Sequence, residues 1–308
     1  MVARPEKTAG DFFDLAVELC GLPLATPLMP AAGTLAKEAL DGAREVYGAM
    51  LPKTVTPGPR VGNPPPRVAE VPSGMVNSIG LQNPGFERFL QDLDVWNIGM
   101  PLFVSIAADT VAEFAAMCER LAGDGRVTAV ELNLSCPNVE HGGLQFCAGP
   151  GTVAEVVAVC REVLPNKPLF AKLTNEGVVA NAVAAEESGS NGLTLINTIP
   201  ALVVDTQQRK VFLRGGLSGP AIKPVALRAV YEVSRVVEIP VIGVGGISSG
   251  EDVAEFMIAG ATAVQVGAGS FVRQPQEILD EFAAYLRKNG LRTRELSVQN
   301  QPDSGRLR

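Results

Sequence analysis

The chain has 308 residues, of which 46% are hydrophobic and 19% are charged, and its net charge at pH 7 is −7. This composition favours a deep apolar core and argues against long disordered regions. An acidic chain without a dense block of lysine and arginine is not expected to form a nucleic-acid groove, although a local basic pocket could bind a small anion.

Neither membrane insertion, secretion nor metal binding is indicated by the sequence. No apolar stretch is long enough to span a membrane, and the N-terminal segment lacks the pattern of a secretion signal. The five cysteines are scattered, without the spacing of a disulfide framework or a metal cluster. We therefore expect a reduced, cytoplasmic protein without a metal site.

Short apolar runs of strand length alternate with longer amphipathic stretches along the chain. The predicted strands lie near Thr26–Pro30, Ala49–Lys53, Leu102–Ile106, Ala129–Ser135, Leu169–Thr174, Leu193–Asn197, Val241–Val244 and Ala263–Val266. Apolar residues at three- and four-residue spacing predict helices over Ala112–Ala122, Thr152–Leu164, Val178–Ser188, Ala226–Val237 and Gly250–Ile258. This βα alternation predicts an α/β fold, a (β/α)₈ TIM barrel that forms a single domain over residues 1–308.

Three segments depart from the alternation. Residues 54–90 and 198–224 are too long for ordinary connections and are predicted to be functional loop insertions. Residues 291–308 are polar and are predicted to form a flexible tail.

Polar residues gather where the predicted strands end, which is where barrel enzymes have their sites. Alternation along the fourth strand directs Glu131, Asn133 and Ser135 toward the barrel lumen. Ser105, Lys172 and Asn197 come from three further strands. Amide, hydroxyl and ammonium groups from several strand ends favour a binding site over simple filling of the barrel.

The last two strands each end in a glycine turn. Gly245 and Gly246 follow the seventh strand, and Gly267 and Ala268 follow the eighth. Glycine lets backbone N–H groups approach a ligand closely, and a following helix N-terminus favours an anion. The two turns predict a phosphate site, which a phosphorylated substrate or FMN would satisfy.

Cys136 lies in the loop after the fourth strand, before a proline. A thiol at the mouth of the barrel could act as a general base if its surroundings favour the thiolate. Cys147 in the same loop is given no role, and His141, the single histidine, is expected to be solvated.

Several motifs, in order and in spacing, resemble those of the class 1 dihydroorotate dehydrogenases. They are LPKTVTPGPRVGNPPPR at 51–67, NSIGLQNPG at 77–85, NLSCPN at 133–138, INT at 196–198, GGLSGPAIKPVALR at 215–228 and VIGVGGI at 241–247. Two of them, GNPPPR and GGLSGPAIKPVALR, are similar to the class 1B branch. The resemblance runs from about residue 14 to about residue 287 and implies an FMN barrel of pyrimidine synthesis.

The resemblance implies that Cys136 is the catalytic base, removing a proton from C5 of dihydroorotate while hydride leaves C6 for FMN. A serine here would suggest the membrane-bound class 2 enzymes, whose N-terminal extension is not seen. The substrate would be bound by Lys53, Asn77, Ile79, Gly80, Leu81, Asn133, Asn138, Asn197 and Thr198. The cofactor would be bound by Ala32, Gly33, Lys53, Thr54, Ser105, Asn133, Lys172, Ile196, Gly219, Gly245, Gly246, Gly267 and Ala268.

Four positions depart from the family pattern. Ala32 and Ala268 lack hydroxyls that are usual in the family, Thr174 is not followed by the usual proline, and Cys147 replaces a glycine. None of these changes removes a proposed catalytic group, but together they leave room for another substrate or electron acceptor.

Two other functions remain compatible with the residues. A flavin-dependent reductase or dehydrogenase of uracil-type pyrimidines would also use the asparagines, whereas Lys53 with NSIGLQN favours a substrate that bears a carboxylate. A non-redox aldolase or isomerase barrel could use Lys172 as a Schiff-base lysine.

The class 1B resemblance also implies partner chains. It implies a homodimer, or a heterotetramer with an electron-transfer subunit that carries FAD and an iron–sulfur cluster. Neither a nucleic acid nor a membrane is an expected partner.

Overall fold

The computed structural model describes residues 15–134 and 146–296. Its strands are β1 (Val17–Leu19), β2 (Leu22–Leu24), β3 (Leu28–Pro30), β4 (Val68–Val71), β5 (Gly74–Asn77), β6 (Phe103–Ile106), β7 (Ala129–Asn133), β8 (Leu169–Leu173), β9 (Gly192–Leu195), β10 (Ile199–Asp205), β11 (Lys210–Ser218), β12 (Val241–Val244) and β13 (Ala261–Val266). Its α-helices are α1 (Ala43–Val46), α2 (Phe86–Gln91), α3 (Leu93–Trp96), α4 (Val111–Ala122), α5 (Pro150–Val163), α6 (Val178–Glu187), α7 (Lys223–Val233), α8 (Gly250–Ala259) and α9 (Pro275–Asn289).

A parallel sheet of seven strands, in the order β3-β13-β12-β9-β8-β7-β6, curls into a barrel. Residues 48–55 join its two edge strands. The Gly48 N–H donates to the Leu28 carbonyl at 2.8 Å on one side, and the Phe103 N–H donates to the Met50 carbonyl at 2.8 Å on the other. Residues 48–55 therefore take the place of the predicted second strand, and the predicted (β/α)₈ barrel is confirmed.

The predicted helices are all present, with ends shifted by a few residues. Helices α4, α5, α6 and α8 begin or end within two residues of the predicted positions, while α7 begins three residues earlier and ends four residues earlier than predicted. Helix α4 begins at a capping box in which the Thr110 hydroxyl accepts from the Glu113 N–H, an arrangement that stabilises a helix start. The sequence pattern did not indicate α9, which packs its apolar face against α8.

An apolar plug fills the N-terminal end of the barrel lumen. The Phe103 and Phe170 side chains, from the first half of β6 and of β8, are buried with ring centroids 5.3 Å apart. Gly192 on β9 makes room for Phe170, because a Cβ at this glycine would collide with the ring. Since the plug closes this end, the barrel lumen opens toward the carboxyl ends of the strands.

The two predicted insertions form one antiparallel sheet in the order β10-β11-β5-β4. Strand β11 of the second insertion pairs with β5 of the first, and Gly216 lies opposite Asn77 in the register. Because β10 follows directly from β9, this sheet lies beside the carboxyl end of the barrel. The insertions are thus ordered parts of the site rather than independent loops.

The described part of the predicted tail is packed against the barrel. Thr293 and Leu296 are buried, and residues 297–308 lie outside the described residues. Across residues 15–134 and 146–296, no helix is both long and apolar enough to cross a membrane.

We expect Phe170→Ala to lower the free energy of unfolding by about 3–5 kcal/mol, because truncation leaves a cavity in the plug. Chemical denaturation of the purified protein measures this loss. The matched control is Phe212→Ala on the exposed face of β11, for which we expect a change within about 0.5 kcal/mol. Equal effects of the two substitutions would contradict the structural role of the plug.

Candidate active site

A cavity of about 480 Å³ opens at the carboxyl ends of the barrel strands, and this volume lies in the range of small-molecule and cofactor sites. It brings together nearly all of the residues that the sequence indicated. Those that line it are Ala32, Gly33, Lys53, Thr54, Asn77, Ile79, Gly80, Leu81, Asn133, Lys172, Ile196, Asn197, Thr198, Gly219, Gly245, Gly246, Gly267 and Ala268.

Of the predicted substrate- and cofactor-binding residues that the structure describes, Ser105 alone does not line the cavity. Ser105 is buried behind Thr54, and their hydroxyl oxygens lie 2.9 Å apart, so Ser105 supports a lining residue. Cys136 and Asn138 lie outside the described residues, as does His141.

Two lysines reach the cavity from different strands. Lys172 is buried on β8, where its Nζ donates to the Gln265 Oε1 at 3.3 Å and lies 3.7 Å from the Glu131 Oε1. The Lys53 side chain passes over Gly33, where a Cβ would come within 2.7 Å of the Lys53 Cδ. The cavity therefore has cationic groups on two sides, which suits a ligand that carries or develops negative charge.

Side-chain amides form a second group in the cavity. The Asn197 Nδ2 donates to the Asn133 Oδ1 at 3.4 Å, which links the ends of β9 and β7. The Asn197 Oδ1 accepts from the Thr198 N–H at 2.8 Å. Asn77 approaches from the added sheet, and its Nδ2 donates to the Gly216 carbonyl at 3.4 Å. Amides offer both donors and acceptors, so this group suits a ring with alternating N–H and C=O groups.

The glycine turns lie together at one end of the cavity. Gly246 has a φ of +81°, and a Cβ there would come within 2.7 Å of the Lys223 Cβ and 2.9 Å of the Gly219 carbonyl oxygen. Gly267 follows the neighbouring strand β13, and a Cβ there would be 3.7 Å from the Ala31 Cβ. Backbone that can approach this closely, just before the N-terminus of α8, suits a phosphate group.

Asn83 organises the site but was not singled out from the sequence. Its buried amide donates to the Thr56 hydroxyl and to the Leu81 carbonyl, both at 2.7 Å, and accepts from the Gly85 N–H at 2.8 Å. Asn83 therefore ties residues 54–58 to the segment that carries Ile79 and Gly80. Asn83 belongs to the NSIGLQNPG motif, but the motif by itself does not indicate which backbone groups its amide would hold.

The thiols of Cys20, Cys118 and Cys147 are not suited to act as bases. Burial raises the pKa of the Cys147 thiol to about 12 and that of the Cys20 thiol to about 11. A hydrogen bond with the Cys160 thiol, together with burial, raises the pKa of Cys118. The main chain of Cys147 has a structural role instead, because its N–H donates to the Leu134 carbonyl and its carbonyl accepts from the Asn181 Nδ2 at 3.0 Å.

The barrel, with its glycine turns and buried lysine around a cavity at the carboxyl ends of the strands, defines the chain as a member of the α/β-barrel enzymes. A sequence model of dihydroorotate dehydrogenase matches residues 14–286. The chain belongs to the dihydroorotate dehydrogenase family.

Curated relatives agree with this assignment. The chain is 45% identical over 268 residues to "dihydroorotate dehydrogenase B (NAD(+)), catalytic subunit" of Geobacillus kaustophilus, covering 84% of this chain and 85% of the relative. It is 42% identical over 290 residues to the protein of the same name from Geotalea uraniireducens, covering 90% and 95%. A solved structure of dihydroorotate dehydrogenase from Eimeria tenella, in complex with ferulenol, superposes with a TM-score of 0.79 at 24% identity, covering 97% of this chain and 92% of the other, which supports the fold.

These comparisons confirm the class 1B resemblance predicted from the sequence, and they make the chain an oxidoreductase of a flavin-dependent family. The relatives are named as catalytic subunits, which implies that such chains work with a partner subunit.

We expect Gly246→Ala to weaken binding of FMN by at least about tenfold, since a side chain would displace the turn and cost at least one hydrogen bond to the phosphate. Titration of the apoprotein, followed by the quenching of flavin fluorescence, measures the dissociation constant. Riboflavin, which lacks the phosphate, is the matched ligand, and its affinity should change little.

The control substitution is Gly125→Ala, because no heavy atom outside its chain neighbours lies within 4 Å of a Cβ there. An equal loss of affinity for FMN and for riboflavin in Gly246→Ala would argue against a phosphate at this turn.

Proposed function

We propose that this chain binds FMN and oxidises dihydroorotate to orotate in pyrimidine biosynthesis. The observation that carries the proposal is a single cavity that joins a glycine-lined end, a buried lysine and a group of amides. These are the features needed for a phosphate, for a cofactor that gains negative charge and for a pyrimidine ring.

The described residues fit FMN. The phosphate would lie against Gly245, Gly246, Gly267 and Ala268, where backbone replaces side chains. The isoalloxazine ring would extend toward Lys172, whose buried ammonium suits the edge of the ring that becomes negative on reduction. FMN, when bound, supplies the acceptor for the hydride that leaves dihydroorotate.

The chain's own residues would bind and orient the substrate. Asn77 on β5, Asn133 on β7 and Asn197 between β9 and β10 bring amides to the cavity, and Thr198 follows Asn197. The Lys53 ammonium would pair with the substrate carboxylate near the backbone of Ile79, Gly80 and Leu81. Asn83 holds this backbone in place, so it supports binding of the carboxylate without contacting it. Asn138 would complete the amide group from the loop that follows β7.

We assign the proton transfer to Cys136. Oxidation of dihydroorotate removes a proton from C5 and a hydride from C6, so a base is needed beside C5. The described residues before this loop end at Leu134, directly after Asn133 of the cavity. Cys136 comes two residues later in the sequence. Among the described cysteines, Cys20, Cys118 and Cys147 have thiol pKa values raised well above the neutral range.

The two alternative functions are less well supported. A uracil-type substrate has no carboxylate, so Lys53 would have no partner on it. A Schiff-base role needs a neutral, free amine at Lys172, whereas the Lys172 Nζ is held by Gln265 and lies beside Glu131. The family assignment also favours dihydroorotate over both alternatives.

Electron transfer beyond the cavity would need a partner. As the class 1B resemblance implies, we propose a homodimer of this chain that assembles with a subunit carrying FAD and an iron–sulfur cluster, and that passes electrons to NAD⁺. Pyrimidine synthesis of this type would take place in the cytoplasm.

The purified chain should be yellow, and dihydroorotate added without oxygen should bleach its flavin absorption. Cys136→Ala should retain FMN but lose the bleaching, because no base remains for C5. Cys136→Ser is the matched variant, and its bleaching should be slow and should increase with pH, since a hydroxyl is a much weaker acid than a thiol.

Flavin bands that persist in the intact wild-type protein would contradict dihydroorotate as substrate and would favour a uracil-type ring. Near-normal bleaching by Cys136→Ala at neutral pH would exclude Cys136 as the base.

Lys172→Ala should lower the midpoint potential of the bound flavin, because the reduced, negatively charged form loses its nearby cation. Spectroelectrochemical titration measures the potential. Lys288→Ala, in the last turn of α9, is the control for the loss of a lysine remote from the cavity. An unchanged potential in Lys172→Ala would show that Lys172 does not stabilise the reduced flavin.

A further inference from the structure

A layer of buried polar side chains lies between the apolar plug and the cavity. It consists of Glu131 on β7, Lys172 on β8, Thr194 on β9 and Gln265 on β13, which are 1%, 6%, 0% and 0% exposed. Of these four residues, Lys172 alone also lines the cavity. The layer therefore forms the floor of the cavity. Its other three side chains can affect the cavity only through Lys172.

The Glu131 carboxylate accepts two of the hydrogen bonds in the layer. The Glu131 Oε2 accepts from the Thr194 hydroxyl at 3.0 Å and from the Gln265 Nε2 at 2.8 Å. Because the Gln265 amide nitrogen is directed at this carboxylate, its oxygen is directed at Lys172 and accepts from the Nζ at 3.3 Å. The carboxylate thereby sets which end of the Gln265 amide faces the lysine.

The second oxygen of Glu131 has a different environment. Within the described residues, the buried Glu131 Oε1 has no hydrogen-bond partner. The Lys172 Nζ lies 3.7 Å away, beyond hydrogen-bonding distance but close enough for strong attraction in a buried place. A buried carboxylate is costly unless a charge compensates it, whereas a glutamine would fill the same volume without that cost. Filling the barrel lumen therefore does not by itself account for a charged residue at position 131.

The register of the strands places Glu131 below Lys172. Asn133 lies opposite Lys172 in the pairing of β7 with β8, and Glu131 lies opposite Phe170 of the plug. The attraction of Glu131 consequently draws the Lys172 ammonium toward the plug and away from the cavity.

We propose that Glu131 is a positioning residue that holds Lys172 at the cavity floor, restrains its charge and so keeps the reduction potential of the flavin low. This inference rests on the proposed function, because it requires FMN in the cavity. A lysine without this counter-charge would stabilise the reduced, anionic flavin more strongly and would slow the release of electrons to an acceptor. Glu131 thus favours re-oxidation of the reduced flavin.

The test is Glu131→Gln in the FMN-loaded protein, with sulfite as the probe. Sulfite adds to oxidised flavin, and its affinity rises with positive charge beside the ring. We expect sulfite to bind about tenfold more tightly in the variant, which for a two-electron couple corresponds to a midpoint potential higher by about 30 mV. An unchanged sulfite affinity together with an unchanged potential would overturn the proposal.

Thr194→Val is the matched control, since it removes a hydrogen bond from the same carboxylate without changing the charge of the layer. If Glu131 has only a structural role, both variants should lose thermal stability and neither should change sulfite affinity. Should Glu131→Gln fail to fold, Glu131→Asp keeps the charge but withdraws it from Lys172 by one methylene. The aspartate variant should tighten sulfite binding in the same direction by a smaller factor, and no change would contradict the proposal.

A double-substitution cycle with Lys172→Gln tests whether Glu131 acts through the lysine. The tenfold effect should largely disappear in the Lys172→Gln background, whereas an effect of full size would show that Glu131 does not act by positioning Lys172. Wild-type protein that binds no FMN would refute the proposed cofactor and this inference together. FMN-loaded protein that is insensitive to Glu131→Gln would refute this inference alone.

Discussion

Closure of the parallel sheet is the constraint on which the rest of the structure depends. Backbone hydrogen bonds from residues 48–55 reach β3 on one side and β6 on the other, so no strand edge of the barrel is left open. In a closed parallel barrel all strands end on the same face, and the apolar plug around Phe103 and Phe170 closes the other face. The barrel lumen is therefore open toward the cavity at the carboxyl ends of the strands.

The added sheet completes the cavity that the barrel begins. Strands β5 and β11 come from insertions far apart in the chain, and their pairing brings Asn77 to the group of amides at the ends of β7 and β9. Asn83 then fixes the neighbouring backbone through hydrogen bonds to Thr56 and Leu81. The side of the cavity that carries the amides is thus held by a few polar contacts, while the glycine turns are held by close backbone packing.

The charged residues of the site lie at two depths along the barrel axis. Lys172 and Lys53 face the cavity, whereas Glu131 lies beneath it in the barrel lumen. A cation that faces a reducible ligand raises the affinity of that ligand for electrons, and a buried carboxylate behind the cation moderates the effect. A barrel enzyme can therefore adjust the chemistry of its cavity with residues that never touch the ligand.

The sequence by itself determined the barrel, the family and most of the residues that line the cavity. Short buried strands, amphipathic helices and glycine turns are local patterns, and motifs such as NLSCPN and GGLSGP carry their identity within a few residues. Only the tertiary structure decided how residues distant in the chain meet. Glu131 and Gln265 are 134 positions apart, and residues 48–55 serve as a strand only because β3 and β6 offer them partners. Such contacts depend on three-dimensional packing between strands, for which a single sequence has no local signal.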